Sequence, residues 1–294
     1  MNTLAFTLAG VRFQLRGARD DLVPRLPEAY LKFRAGPPSG PAQAEYRVLD
    51  PRDASLAPVE TGALLWQSET WRLGRTGDGR LGIELQRVAD GQWIPVVNAQ
   101  PDFSRGDIRP LYGRMTAPSE YALNHPYDQT ILLNRLLHFG AGVVHACGIE
   151  DRGRGLIFAG RSGAGKTTLA RLWRGLGATL LNDDRVILRN SAAGVLLESS
   201  PWHGEDPQVN SATVPLRAIV HLNQARENRL RRLEGNEPLT ALLATTVAPF
   251  YSEHGLEQLL DAWTAVTART PSYRLDFTPD ARAVELCRAE FRDA

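Results

Sequence analysis

Lysine is almost missing from this chain. Of its 34 basic residues only Lys32 and Lys166 are lysine, and the rest are arginine. A planar guanidinium and a compact ammonium are not interchangeable, so a lysine kept against this trend marks a position that needs a point charge. Cysteine is as scarce. Cys147 and Cys287 stand far apart and outside any CxxC pattern, which argues against a disulfide scaffold or a thiolate zinc site and for free thiols in a reducing compartment. Charge of one sign is also lacking, since net charge is +1. A dedicated nucleic-acid binder leaves a basic footprint that this chain does not show. No apolar run reaches the length of a membrane span. The N-terminus lacks a basic segment followed by a long apolar stretch, so no signal peptide is expected. These absences predict a cytoplasmic protein whose partners include neither nucleic acid nor membrane; they leave the oligomeric state open.

What is present suffices for a full core: 294 residues, 43% of them hydrophobic, enough for one large domain or two smaller ones. Residues 1–122 read as β-rich. Alternating stretches at Ala5–Leu15, Ala63–Leu73 and Leu81–Val88 are separated by turn signals, among them Gly36-Pro37-Pro38-Ser39-Gly40-Pro41 and Asp78-Gly79. Residues 123–294 read as mixed α/β. Helical spacing predicts a helix over Tyr127–Phe139, then strands at Gly142–Cys147 and Gly155–Ala159 joined by a turn at Arg152-Gly153-Arg154. A helix over Thr167–Leu176 and a strand at Ala178–Leu181 come next, with Asn182-Asp183-Asp184 at its end and Val186–Arg189 extended beyond. Further on, Leu216–Leu222 and Tyr273–Phe277 read as strands, and Leu239–Ala248, Leu256–Thr267 and Pro279–Phe291 as helices.

One segment carries chemistry. Gly160-Arg161-Ser162-Gly163-Ala164-Gly165-Lys166-Thr167 matches the phosphate-loop pattern GxxxxGK[ST] in full, between a predicted strand and a predicted helix. Glycines let the backbone turn its N–H groups inward onto phosphate oxygens, and the helix start adds a positive dipole end. The ammonium of Lys166 is suited to the β and γ phosphates, and the Thr167 hydroxyl to Mg²⁺. Asp183 and Asp184 follow closely. At a strand end both can reach a site beside the loop, one toward Mg²⁺ and the other toward the proton of an attacking hydroxyl; a solvated Asp-Asp turn is the plainer alternative.

Taken together, Val144-His145-Ala146, the loop Gly160–Thr168 and Asn182-Asp183-Asp184-Arg185-Val186 resemble the catalytic domain of the HPr kinase/phosphorylase family. The resemblance covers about residues 126–225. It is closer still to HPr-kinase-like proteins found beside peptide natural-product genes, in which stretches like Pro201-Trp202-His203-Gly204-Glu205 and Pro215-Leu216-Arg217-Ala218-Ile219 occur. It does not extend over the N-terminal 120 residues. The resemblance implies an α/β phosphate-loop catalytic domain of the HPr-kinase and PEP-carboxykinase type at 123–294, preceded by the smaller β-rich region, which would recognise a partner or substrate. It implies that Gly160, Ser162, Gly163, Ala164, Gly165, Lys166, Thr167 and Thr168 hold the phosphates of ATP. Thr167, Asp184 and Asp183 would serve Mg²⁺, Asp183 would be the general base, and His145 a polar partner in the site. Read alone, His145 is equally a structural histidine at a strand end. His203, Glu205 and Arg217 are candidates to face the substrate, or else an ordinary turn behind a packed tryptophan and a surface arginine.

The expected activity is therefore an ATP-dependent kinase that phosphorylates a hydroxyl, a serine in a protein or peptide. Two alternatives stand beside it: a nucleotide-regulated binding module without kinase activity, and a kinase of a free small metabolite such as serine.

Overall fold

The computed structural model describes residues 2–34, 40–113, 116–206 and 209–291. It divides into two compact units, residues 1–139 with 249–255 and residues 140–248 with 256–294.

The first unit is built on an eight-stranded sheet. Its strands are β1 (Thr3–Leu8), β2 (Val11–Gly17), β3 (Ala44–Val48), β4 (Val59–Gln67), β5 (Trp71–Thr76), β6 (Leu81–Gln86), β7 (Trp93–Ala99) and β8 (Arg105–Ile108), in the order β1-β2-β3-β8-β7-β6-β5-β4. A short helix α1 (Glu28–Leu31), the two-residue strands β9 (Leu111–Tyr112) and β10 (Ala117–Pro118), and helix α2 (Tyr127–Leu137) complete it. The alternation in β2 and β3 buries every second residue, as a sheet with one covered face requires. Phe6 stacks on Phe13 at 5.1 Å, Tyr30 meets Phe6 edge-on, and the Tyr30 hydroxyl donates to Asp128 on α2 at 2.7 Å.

Two expected strands here are hairpins. Ala5–Leu15 turns at Ala9 and Gly10, both left-handed at φ 50° and 75°, the geometry that suits the twist of a tight hairpin. Because the turn holds two residues, the alternation passes through it unbroken and conceals it. Ala63–Leu73 likewise breaks at Ser68, whose hydroxyl accepts from the amides of Thr70 and Trp71. Of the Gly36–Pro41 turn signal, residues 36–39 lie outside the described residues.

The second unit carries β11 (Ala141–Asp151), β12 (Arg154–Ala159), α3 (Lys166–Gly175), β13 (Thr179–Asn182), β14 (Arg185–Ser191), β15 (Gly194–Ser199), β16 (Thr213–Gln224), β17 (Arg229–Arg232), α4 (Glu237–Leu243), β18 (Thr246–Val247), α5 (Glu253–Arg269), β19 (Ser272–Phe277) and α6 (Ala281–Glu290). The strand order is β12-β11-β14-β15-β16-β19-β17, and a further β12–β16 pairing closes the first five into a ring. β16 runs parallel to both β12 and β19. On one face α3 and α6 bury Leu169, Trp173, Val284 and Cys287 against Phe158, Val220 and Leu275. Both cysteines are free and buried, and burial raises their thiols, Cys287 to about 12. The helix expected over Leu239–Ala248 stops at Leu243; Thr246 and Val247 instead pair with β11. No helix is long and apolar enough to cross a membrane, among the described residues.

Gly142 on β11 leaves room for α5. A Cβ there would stand 2.7 Å from Cη2 of Trp263, whose indole is fully buried and donates to Thr246 Oγ1 at 2.7 Å. Gly142→Ala should therefore lower the melting temperature, at an overpacking cost of about 1–3 kcal/mol. Thermal unfolding followed by circular dichroism checks this, and an unchanged midpoint would contradict the packing.

Candidate functional site

β12 is an apolar strand that delivers the chain to Gly160, and α3 leads it away from Gly165. Between them the backbone needs conformations that only glycine takes cheaply: Gly163 and Gly165 have φ 78° and 97°. Gly165 is further constrained by contact, since a Cβ there would meet the Phe277 ring at 2.7 Å. Gln224, at the end of β16, donates to the Gly163 carbonyl at 2.8 Å and ties the loop to the sheet. Gly165 is the N-cap of α3 and brings no side chain to the first-turn amides. Those amides and the helix dipole make a ready anion site.

Lys166 is 8% exposed. Its ammonium folds back over the loop and donates to the carbonyls of Gly160 at 2.9 Å and Arg161 at 3.3 Å. Burial lowers its pKa, opposed by the charge of Asp184.

The two acids that follow β13 face different neighbours. Asp184 accepts from His145 Nε2 at 3.1 Å and from Arg185 Nη1 at 2.8 Å. Its carbonyl accepts from the Ala146 amide, which fixes the acid turn to β11. His145 is pushed below its ordinary value, first by burial and then by the nearby Lys166 ammonium, while Asp184 pulls the other way. His145 and Asp184 are thus paired, within electrostatic reach of Lys166. Asp183 is 5% exposed and turns toward the segment after β15. Its two carboxylate oxygens accept from the backbone amides of Gly204 at 2.7 Å and Asp206 at 2.9 Å. A cavity of about 180 Å³ is lined by Thr167, Asp183, Glu205 and Asp206, with Arg171 and Arg174 of α3.

The remaining expected residues fall in two places. In the 202–206 segment Trp202 is buried, whereas His203 and Glu205 are exposed. Glu205 lies 3.7 Å from Arg171, and Asp206 pairs with Arg174 at 2.7 Å, so the segment docks on α3 beside Thr167. Arg217 is not brought to this site. It sits on β16 beside the start of β12, at Gly155 and Leu156, roughly 13 Å of extended chain from the loop. It is therefore not placed to face a substrate at the loop. Among the described residues no group of three or more His, Cys, Asp or Glu side chains forms a metal cage.

Sequence reasoning passed over Asn182. Fully buried, it donates from Nδ2 to the carbonyls of Ser200 and Trp202 and accepts through Oδ1 from the amides of Asp184 and Arg185. One amide side chain thereby shapes the acid turn and anchors the segment that Asp183 also holds. The preference of Asn for bonding the backbone two residues ahead was the available signal. Gly204 was also missed: a Cβ there would stand 2.9 Å from Asp183 Oδ2.

No family model and no curated protein matches the sequence. Among solved structures the chain is similar to the HPr(Ser) kinase/phosphatase from Coxiella burnetii, with 14% identity, a TM-score of 0.29, and coverage of 51% of this chain and 92% of that one. At that level the likeness carries no argument about activity, and the functional reading rests on the site's own residues.

Asn182→Ala should destabilise the protein by about 1–3 kcal/mol, because it strands buried carbonyls and amides together. Urea unfolding checks this; an unchanged midpoint would remove Asn182 from its bracing role.

Proposed function

We propose that this chain is an ATP-dependent kinase that transfers the γ-phosphoryl group to a hydroxyl, a serine-type hydroxyl on a protein or peptide. The observation that carries the proposal is the glycine loop whose helix start no side chain caps, with the Lys166 ammonium folded over it and within electrostatic reach of the Asp184–His145 pair. In this reading the loop amides from Gly160 to Thr168 and the Lys166 ammonium bind the phosphates. Thr167 and Asp184 suit Mg²⁺, an ion that takes one or two carboxylates beside substrate phosphates and keeps its waters, so a three-ligand cage is not required. When bound, that ion neutralises charge on the phosphates. His145 orients Asp184.

Asp183 would accept the proton of the attacking hydroxyl. Each of its oxygens accepts one amide, from Gly204 and from Asp206, which leaves each a second lone pair for the acceptor hydroxyl. The acceptor then enters beside the 203–206 segment, where His203 and Glu205 are exposed to meet it.

The same two amide bonds favour a second reading, a nucleotide-regulated binding module. They dock the 204–206 segment on the acid turn, an arrangement that serves partner binding without any proton transfer. A free metabolite such as serine is the alternative acceptor.

The three readings separate by mass spectrometry after incubation with Mg-ATP and candidate peptides, or with free serine. A kinase phosphorylates one of these. Asp183→Asn should then lower transfer by about 10²–10⁴-fold with nucleotide affinity retained. Undiminished transfer would remove Asp183 from the base role. ATP-dependent partner capture with no transfer to any acceptor would favour the binding module.

A further inference from the structure

At the far end of β12 from the glycine loop lies a second polar cavity, of about 190 Å³. Arg152, Arg154, Arg217 and Arg288 line it, together with Asp151 and Trp173. No other carboxylate of the described residues lines it, and Arg288 occupies both oxygens of Asp151, at 2.7 and 3.0 Å. The cavity therefore holds an excess of positive charge.

Arg217 reaches it through an irregularity in the sheet. Gly155 pairs with Leu216 and Leu156 with Ala218, so Arg217 is the extra residue of a β-bulge, a device that re-aims a side chain. Its guanidinium is partly buried, and among the described residues its Nε is enclosed and has no hydrogen-bond partner. Trp173, fully buried, is in the same condition: its Nε1 is enclosed and has no acceptor. Arg154 donates one Nη1 bond to the Phe291 carbonyl at 3.2 Å. Arg152 and Arg154 are exposed at the cavity's edge and Arg217 is half-buried; enclosed donors such as Arg217 Nε and Trp173 Nε1 are costly, and native structures rarely keep them without a partner.

We propose that this cavity binds a compact oxyanion, either inorganic phosphate or the phosphoryl group of a small metabolite. Guanidinium forks match tetrahedral phosphate oxygens. The volume falls short of the space that drug-sized ligands occupy, which suits one phosphoryl group and not a nucleotide. The site is independent of the glycine loop and of the kinase reading.

The test uses ¹⁵N NMR on the full chain with Lys166→Ala, so that the loop does not contribute. The reporter is the Trp173 indole N–H resonance, identified by its loss in Trp173→Phe. Sodium phosphate, glycerol phosphate and sodium chloride are titrated at matched ionic strength. A saturable shift with either phosphate source, absent with chloride, is the expected result. A shift with phosphate alone identifies the free ion as the ligand, and a shift with both extends the site to phosphomonoesters. Arg217→Gln should weaken binding about tenfold or more, as expected for loss of a charged hydrogen-bond partner. Arg154→Gln, at an exposed position that leaves folding intact, should weaken it as well. No shift, an equal shift with chloride, or unchanged affinity in both variants would overturn the proposal.

Discussion

The Lys166 ammonium resting on the carbonyls of Gly160 and Arg161 is the contact on which the site depends. It holds a buried positive charge over a loop that leads into an uncapped helix start. The loop keeps its shape because Gly163 and Gly165 accept left-handed backbone and because Gln224 and Phe277 press on it from the ends of β16 and β19. A compact ammonium differs from a planar fork as a point charge, and Lys166 is one of only two lysines, with Lys32, in an arginine-rich chain.

Asn182 does for the acids what those glycines do for the loop. It bends the chain at the end of β13 so that successive carboxylates diverge, Asp184 toward His145 and Lys166, Asp183 toward the 204–206 amides. The divergence separates two tasks. One acid pairs with His145 and Arg185. The other is coupled to a segment that also docks on α3 through Arg174 and Asp206.

The loop's conformation was legible in the sequence because its requirements are local: glycine at left-handed backbone, an apolar strand before and a helix after. The Asp183-Asp184 pair stood out by residue type, but its geometry was not legible. The partners that distinguish the two acids lie at His145 and at 204–206, far along the chain, and no periodicity reports such contacts. Arg217 shows the same limit more sharply. Its strand was evident, but its position along the strand and its bulge depend on register against β12, a long-range property. In the β-rich unit the alternation at Ala5–Leu15 was correct on both sides of a turn that it could not reveal.

Calorimetric titration of Mg-ATP into the wild-type chain and into Lys166→Ala tests the central claim most directly. Saturable single-site binding by the wild type, weakened at least about tenfold by the substitution, is the predicted result. No heat with the wild type, or equal affinity in both proteins, would contradict it.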